Sequence, residues 1–382
     1  MSKKTSLERV LAAVRHQPVD RIPLDIGSSY TTGITKNAYL RLTTALGIDV
    51  GTPQLVDTVQ QLVRMDERVA EAIGVDVRGV VPNIVRKAPV LVDIDGVRKF
   101  TDEWGVDWEQ PPGALYFHAV GSPLASATSG KDVEAYDWPD TAAPALFEGI
   151  VEEARQYHEQ GYAVMLECIC AGMFEMCCRV RGLENFYIDL MINPDLACAL
   201  MDKFVELKIN FYTAAAEHLG EYVQCIRESD DVAGQESLLI SPAMYRDMIK
   251  PRHKQLFDAQ RKVFPEPFFI WFHSDGALYE ILPDFIEIGV EMLNPLQLSA
   301  AGMDAVKIKK EYGQDLAFWG AGVNTQHILP TGSPDEVRQD VLKRVAMLRP
   351  DSGFVFGTVH NIQDDVPIEN LMALLETFSE IR

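Results

Sequence analysis

The chain has 382 residues, of which 47% are hydrophobic and 24% are charged, proportions that are ordinary for a folded globular protein. Asp and Glu outnumber Lys and Arg by 56 to 35, so the formal net charge is −21 at pH 7. A charge of this sign is repelled by the phosphates of nucleic acid and by an anionic membrane surface, and we expect neither as a partner. The length fits one large barrel or roughly two to three domains of ordinary size.

The N-terminal segment has two lysines, Lys3 and Lys4, but not the apolar stretch that a secretory signal requires. The longest apolar runs, such as residues 268–272, have the length of a strand and fall far short of the roughly 20 residues of a membrane span. All six cysteines lie between Cys168 and Cys225, a distribution unlike that of a disulfide framework. We therefore predict a cytoplasmic protein.

Short apolar runs rich in β-branched and aromatic residues alternate with longer segments of helical periodicity, such as Pro242–Val263 and Ser333–Leu348. The runs that predict buried strands are Ile22–Ile26, Val75–Val81, Ala163–Ile169, Tyr222–Arg227, Pro267–His273, Val290–Pro295, Leu316–Gly320 and Gly353–Thr358. Alternating strands and helices predict a parallel sheet. Eight strands favour an α/β fold formed by a single (β/α)8 TIM barrel over residues 1–382, with an open doubly wound sheet as the alternative.

Residues 84–125 interrupt this alternation after the second predicted strand. They contain the runs Val90–Ile94 and Val97–Thr101 on either side of Asp95-Gly96, a dipeptide that is typical of a β-hairpin turn. Trp104 follows, and on a lid it could close over an apolar substrate. We interpret 84–125 as an insertion that forms a rim or lid of the barrel.

In a (β/α)8 barrel, functional residues collect at the carboxyl ends of the strands. Polar side chains follow most of the predicted strands, and the candidates for substrate binding are Asn294, Gln297, Asn324 and Asn361, together with Trp104 of the insertion. A barrel maintained only for stability would not need polar residues at these positions.

The most specific pattern is His273-Ser274-Asp275 at the end of the fifth predicted strand. Residues i and i+2 of an extended chain project to the same side, so His273 and Asp275 can bind one divalent ion. His360, after the last strand, could supply a third ligand, and this set suits Zn²⁺ with one open position. The competing interpretation is that His273 is a buried histidine that hydrogen-bonds a neighbouring loop.

Three carboxylates are candidates for proton transfer. Asp230 and Asp231 follow the fourth predicted strand, where they could act as general acid or base or serve only to cap the next helix. Glu167 interrupts the apolar run of the third strand, and a carboxylate there is costly unless it is paired. We therefore nominate Asp231, Glu167 and Asp230 as catalytic residues.

Several motifs resemble the uroporphyrinogen decarboxylase superfamily over essentially the whole chain. They are Ser6–Leu11, His16–Pro23, Ser241–Tyr245 with Lys250–Arg252, His273–Gly276, Pro295–Gln297, Gly320–Gln326, His360–Gln363 and Pro367–Asn370. The superfamily adopts a (β/α)8 barrel and divides into true decarboxylases and methyltransferases that serve corrinoid proteins. The decarboxylases carry an N-terminal Arg-Gln-Ala-Gly-Arg segment that binds propionates, whereas the equivalent stretch here, Gly27–Gly33, has no arginine. This departure disfavours a porphyrinogen substrate.

The resemblance also implies a metal site. The methyltransferases that use coenzyme M bind zinc through His-x-Cys on one strand and a cysteine near the C-terminus. His273 matches the histidine, while Asp275 and His360 stand where the two cysteines are expected. Both replacements are themselves metal ligands, and a His/Asp/His set is harder than a thiolate set, which suits activation of an ether oxygen.

The sequence thus predicts a zinc-assisted methyltransferase of the O-demethylase type. It would move a methyl group from a small donor, such as a methoxylated aromatic, to cob(I)alamin on a partner corrinoid protein, and the resemblance suggests a homodimer. The alternatives are a metal-free decarboxylase or lyase acting on a small carboxylic acid, and a binding protein without catalysis.

Overall fold

A computed structural model describes residues 3–83 and 90–382. Within these ranges the strands, numbered in chain order, are β1 (Leu55–Asp57), β2 (Leu62–Val63), β3 (Val77–Val80), β4 (Val92–Ile94), β5 (Val97–Thr101), β6 (Asp107–Gln110), β7 (His118–Gly121), β8 (Ala163–Glu167), β9 (Cys225–Ser229), β10 (Trp271–His273), β11 (Met292–Asn294), β12 (Ala317–Trp319) and β13 (Phe354–Val355). Most of them are apolar and buried on both faces, as expected for strands covered by helices.

The helices separate the parallel strands along the chain. They are α1 (Ser6–Val14), α2 (Lys36–Ala45), α3 (Glu67–Ile73), α4 (Gly130–Ala135), α5 (Ile150–Glu159), α6 (Met173–Arg181), α7 (Leu183–Ile192), α8 (Pro194–Leu219), α9 (Pro242–Met244), α10 (Lys250–Val263), α11 (Leu282–Glu287), α12 (Ala305–Tyr312), α13 (Ile328–Thr331), α14 (Pro334–Leu348) and α15 (Ile368–Ile381). No helix of the described ranges is both long and apolar enough to cross a membrane.

The described residues contain a seven-stranded sheet in the order β13-β12-β11-β10-β9-β8-β3, and all of its neighbouring strands are parallel. Its register places His273 opposite Asn294 and Phe272 opposite Glu228. The molecule therefore has an α/β fold with a curled parallel sheet, and this arrangement is consistent with a TIM-barrel-like fold.

The prediction of a regular first strand at Ile22–Ile26 was wrong, because the segment pairs only through an isolated parallel bridge between Leu24 and Phe356. Pro23 has no N–H to donate, and this restricts regular pairing. The segment nevertheless lies between the two edge strands of the sheet. Asp25 N donates to Phe356 O at 2.8 Å, and Asp76 N donates to Leu24 O at 2.8 Å on the other side.

A second, antiparallel sheet separates β3 from β8 in the chain. Its order is β4-β5-β6-β7, and Ile94 pairs with Val97 across the Asp95-Gly96 turn. We call residues 92–121 the insertion sheet. Residues 84–89 of the predicted insertion lie outside the described residues. Phe100 and Trp108 of this sheet are buried with their rings stacked at 6.3 Å.

The barrel interior contains two kinds of side chain on the same strands. Trp271 and Trp319 are fully buried and meet edge to face at 6.1 Å in an apolar cluster with Met165 and Met292. His273 lies two residues beyond Trp271 and projects to the same side of β10. The apolar cluster, which we call the lower interior, therefore supports the residues at the carboxyl ends of the strands.

Candidate active site

A cavity of about 340 Å³ lies at the carboxyl ends of the parallel strands. Its barrel side includes Ser229 at the end of β9, His273 at the end of β10 and His360 after β13. Its opposite side includes Trp104 and Trp108 of the insertion sheet. The volume is at the lower end of the roughly 300–1,000 Å³ that is usual for small-molecule sites.

His273, Asp275 and His360 come together at this cavity, as the sequence analysis predicts. One ligand atom of each lies within 4.8 Å of those of the other two. Nε2 of His273 is 3.8 Å from Oδ2 of Asp275, and the two histidine rings are 5.8 Å apart. Small side-chain rotations would let these three groups share one ion.

A hydrogen bond orients His273. Its Nδ1 is 2.7 Å from Oδ1 of Asn294, so Nδ1 carries the proton and donates it to the amide oxygen. Burial lowers the pKa of His273, and burial lowers the pKa of His360 to about 4. Both rings are therefore neutral near neutral pH, and the Nε2 lone pair of His273 is free to bind a metal.

The loop after β10 positions Asp275. Its backbone N–H donates to Oδ1 of Asp231 at 2.8 Å, and the N–H of Gly276 donates to Oε1 of Gln297 at 2.7 Å. Gly276 has φ +99°, and a Cβ there would lie 2.6 Å from the carbonyl oxygen of Gly234. Only glycine fits this turn, which aims the carboxylate of Asp275 at His273.

The donor set fits a divalent cation. Oδ1 of Asp275 is buried and has no hydrogen-bond partner among the described residues, so it is an acceptor without a donor. Two neutral imidazoles and one carboxylate are a ligand set that Zn²⁺ accepts in sites with an open position.

Asp231 lies beside the metal-ligand candidates and lines the cavity. Its Oδ1 is 3.8 Å from Nε2 of His273, and its side chain is 37% exposed to the cavity. Burial in the barrel mouth raises the pKa of Asp231 well above its ordinary value, and the nearby carboxylates of Glu175 and Asp275 raise it further. A raised pKa favours the protonated form of this carboxyl group, the form that a general acid needs.

Asp230 points away from the cavity, although it is adjacent in sequence. Its oxygens accept hydrogen bonds from the N–H groups of Phe174 at 2.8 Å and Glu175 at 3.0 Å, and from Nε2 of His253 at 2.9 Å. These donors occupy both oxygens, so Asp230 fixes the first turn of α6. Gly172 is required there, because a Cβ would lie 2.2 Å from the Asp230 carboxylate.

Glu167 is also buried behind the cavity wall. Its carboxylate forms an ion pair with Nε of Arg227 and accepts the N–H of Tyr30 at 2.9 Å. Arg227 donates a further hydrogen bond to Ser229 at 2.6 Å and itself lines the cavity. The structure therefore places Glu167 where it orients Arg227.

The four predicted amides lie outside the cavity lining. Asn294 bonds His273, and Gln297 bonds Gly276. Oδ1 of Asn324 accepts two backbone N–H groups of its own loop, and Oδ1 of Asn361 accepts the N–H of Gly33 at 2.8 Å. Each amide is thus bonded within the loops or strand ends around the cavity, and substrate contact stays a prediction for these four residues. Contact with substrate is likewise a prediction for Trp104, which lines the cavity.

The sequence analysis missed six charged residues of the described cavity lining: Asp57, Asp102, Glu103, Glu175, Arg179 and Arg227. Arg227 interrupts the apolar run of β9, just as Glu167 interrupts that of β8. Because the two strands are neighbours, opposite charges in their apolar runs could have predicted this ion pair. Glu175 and Arg179 lie four residues apart on α6, a spacing that any exposed helix face can show.

The sequence model of the uroporphyrinogen decarboxylase (URO-D) family matches residues 118–381, well over half of the chain. A uroporphyrinogen decarboxylase of Chlorobaculum parvum is 24% identical over 190 residues, which cover 49% of this chain and 50% of that protein. A uroporphyrinogen decarboxylase of Pelodictyon phaeoclathratiforme is 29% identical over 139 residues, which cover 36% of this chain and 37% of that protein. The alignments thus span half or less of these curated relatives.

The fold is similar to that of a solved methyltransferase from Methanosarcina mazei. The two share 19% sequence identity with a TM-score of 0.66, and the alignment covers 99% of both chains. At this identity the likeness concerns the fold, which it extends over the full length of the chain. The family match over residues 118–381 shows that the chain belongs to the uroporphyrinogen decarboxylase family.

Proposed function

We propose that this protein is a methyltransferase that moves a methyl group from a small methylated donor, with a methoxylated aromatic as the best candidate, to cob(I)alamin on a partner corrinoid protein. The observation that carries the proposal is the convergence of His273, Asp275 and His360 at a cavity with aromatic walls. Family membership supports an enzyme, because the family includes decarboxylases.

The three ligand candidates would hold a metal ion, for which Zn²⁺ is the best fit. A bound Zn²⁺ would act as a Lewis acid on the methyl-bearing oxygen. Asn294 holds His273 in the tautomer whose Nε2 lone pair could bind the metal. Gly276 allows the turn that aims the carboxylate of Asp275 at His273.

Asp231 would supply the proton that the leaving oxygen takes up. Burial raises its pKa, which favours the protonated carboxyl group that a general acid would use when charge develops on that oxygen. The methyl–oxygen bond would break with its electron pair on oxygen, and the proton of Asp231 would neutralise the oxygen. The methyl group would pass to cobalt(I), which provides the electron pair of the new bond.

The aromatic side of the cavity would hold the donor and limit the entry of water. Trp104 and Trp108 line it, and Arg227 closes the barrel side under Tyr30, whose ring centroid is 5.8 Å from the guanidinium carbon. Aromatic rings opposite the histidines of the barrel side suit a donor with a ring on one side and an ether oxygen on the other.

The test is to mix the purified protein with a reduced corrinoid protein and a panel of methoxylated aromatics, and to record the absorption spectrum. Formation of the methylcobalamin spectrum with at least one donor supports the proposal. Failure of every donor, with a corrinoid protein that a known methyltransferase can methylate, would refute it.

A second candidate is a metal-free decarboxylase acting on a small carboxylic acid, which the names of the curated relatives favour. Asp231 would then handle protons alone. Metal analysis separates the two, because retained activity of His273→Ala without bound zinc would support the decarboxylase.

A further inference from the structure

Four polar side chains lie together behind the barrel side of the cavity and take no part in the proposed chemistry. They are Cys168 directly after β8, Glu228 on β9, and Lys208 and Tyr212 on α8. Lys208 and Tyr212 are fully buried, and Glu228 is 1% exposed. Cys168 is 3% exposed and lines the cavity, so a small molecule in the cavity can reach it. We call these four residues the lysine–cysteine cluster.

The amine, the thiol and one carboxylate of this cluster are in mutual contact. Nζ of Lys208 is 2.6 Å from Oε1 of Glu228 and 3.3 Å from Sγ of Cys168. Oε2 of Glu228 accepts the S–H of Cys168 at 3.3 Å and also the O–H of Tyr212. Glu228 therefore touches both the amine and the thiol, and it can take a proton from either.

A buried ion pair accounts for only part of the lysine–cysteine cluster. Lys208 and Glu228 neutralise each other, but such a pair gives little net stability because both charges lose their water. Cys170 also lines the cavity, yet the hydrogen bonds of Lys208 go to Cys168 and Glu228. The contact between amine and thiol has a chemical consequence, because an oxidised cysteine sulfur can be attacked by a nearby nitrogen.

We propose that Cys168 is an oxidation site and that a peroxide joins it to Lys208 through a sulfur–nitrogen bond. The peroxide enters through the cavity, whose wall includes Cys168. In the first step Glu228 takes the S–H proton, and the sulfur attacks one peroxide oxygen. The S–O bond forms, the O–O bond breaks, and the leaving hydroxide recovers the proton from Glu228 as water. The sulfur is thereby oxidised by two electrons to a sulfenic acid, and the peroxide is reduced.

Lys208 then closes the cross-link. Its ammonium gives one proton to Glu228, 2.6 Å away, and the freed amine attacks the sulfur. The S–N bond forms as the S–O bond breaks, and the leaving hydroxide takes a second proton from the nitrogen to become water. The products are a neutral sulfenamide and a protonated Glu228. The buried ion pair is lost, and α8 is tied to the end of β8.

The test uses the intact protein and hydrogen peroxide, and it does not depend on methyl transfer. Burial raises the pKa of Cys168 to about 11, so the reaction is run at roughly pH 9, where more thiolate is present than at neutral pH. Mass spectrometry after proteolysis should find the segments that carry Cys168 and Lys208 joined, with a mass about 2 Da below their sum. A dithiol reductant should separate them, regenerating thiol and amine as the dithiol becomes a disulfide.

Cys170→Ser is the matched control, because Cys170 also lines the cavity, and the cross-link should persist in it. Cys168→Ser and Lys208→Arg should each abolish the cross-link. Any acid of sulfur at Cys168 beside an unmodified Lys208 would overturn the inference. A Cys168 that stays reduced, or that pairs with Cys170, while the less buried Cys198 is oxidised would overturn it equally. The wild-type measurement decides by itself, so the result holds even where Lys208→Arg fails to fold.

Discussion

The lower interior of the barrel and the cavity above it are built on the same strands but contain opposite kinds of side chain. On β10, Trp271 is fully buried against Trp319, and His273, two residues further, meets Asp275 and His360. The rings of Trp271 and His273 are stacked 6.4 Å apart. A packing residue and a metal-ligand candidate are thus only two residues apart on the same face of β10. We therefore expect stability and activity to respond to different substitutions.

The comparison has one exception, because the lower interior also contains the carboxyl group of Asp25. Its Oδ2 accepts Nε1–H of Trp319 at 2.8 Å, and its Oδ1 has no partner among the described residues. Burial raises the pKa of Asp25 to about 6. The lower interior therefore contains a group that costs stability when it is ionised.

The largest expected effect tests the lower interior. Trp271→Ala removes a fully buried ring, and we expect the free energy of unfolding to fall by about 3–5 kcal/mol. Denaturant titration measures this, with Trp271→Phe as the milder companion. A loss below about 1 kcal/mol would mean that neighbouring side chains fill the space left by the indole ring. Trp271 would then not support the residues at the carboxyl ends of the strands.

The second-largest expected effect tests the metal-ligand candidates at the carboxyl ends of the strands. His273→Ala removes a metal-ligand candidate, and we expect methyl transfer to fall at least about 1,000-fold, or about 4 kcal/mol. The zinc content measured by mass spectrometry should fall with it, while the free energy of unfolding changes little. His158→Ala, on α5 and away from the cavity lining, is the control. A large loss of stability without a change in zinc content would show that His273, like Trp271, serves packing and does not bind the metal.

The buried carboxyl group of Asp25 predicts that stability depends on pH. A raised pKa in the folded state means that the folded protein binds more protons than the unfolded one, so Asp25 lowers stability as pH rises from about 4 to about 6 and keeps that cost above it. Asp25→Asn should raise the free energy of unfolding near pH 7 by about 3 kcal/mol at most. Denaturation at several pH values measures this, and identical pH profiles would contradict it.

The smallest effect concerns proton transfer. Asp231→Asn keeps the hydrogen bond to the N–H of Asp275 but removes the proton, and we expect kcat to fall about 100-fold for donors with basic leaving oxygens. Donors that leave as stabilised phenolates should lose much less. A uniform loss over the donor series would show that Asp231 positions Asp275 and does not donate a proton.

The predictable part of the fold follows from the strand pattern. Apolar runs locate β8 to β13 because buried parallel strands have a continuous hydrophobic signal. Ile22–Ile26 has the same composition but contains Pro23, and the outcome depends on pairing partners distant in sequence. β6 could not be predicted from hydrophobicity, because Asp107–Gln110 has only one apolar residue and is stabilised by its neighbours in the insertion sheet.

The predictable part of the site is the set of groups whose position follows from a strand end. His273, Asp275 and His360 were found in this way. The same rule also selected Asp230 and Asn294, because a polar residue at a strand end can accept a hydrogen bond from a backbone N–H, as Asp230 does, or from another side chain, as Asn294 does from His273. The distinction depends on the direction of each side chain, which the tertiary structure determines.

The insertion sheet pairs, within the described residues, only among its own strands, yet it supplies the aromatic side of the cavity. The metal-ligand candidates belong entirely to the barrel. Under the proposed function, the tryptophan contacts to the donor and the metal-ligand candidates are therefore encoded in separate parts of the chain. Under the proposed function, we expect exchange of residues 92–121 between relatives to change the donor preference and to leave the metal-ligand candidates intact, which would make the protein modular in an evolutionary sense.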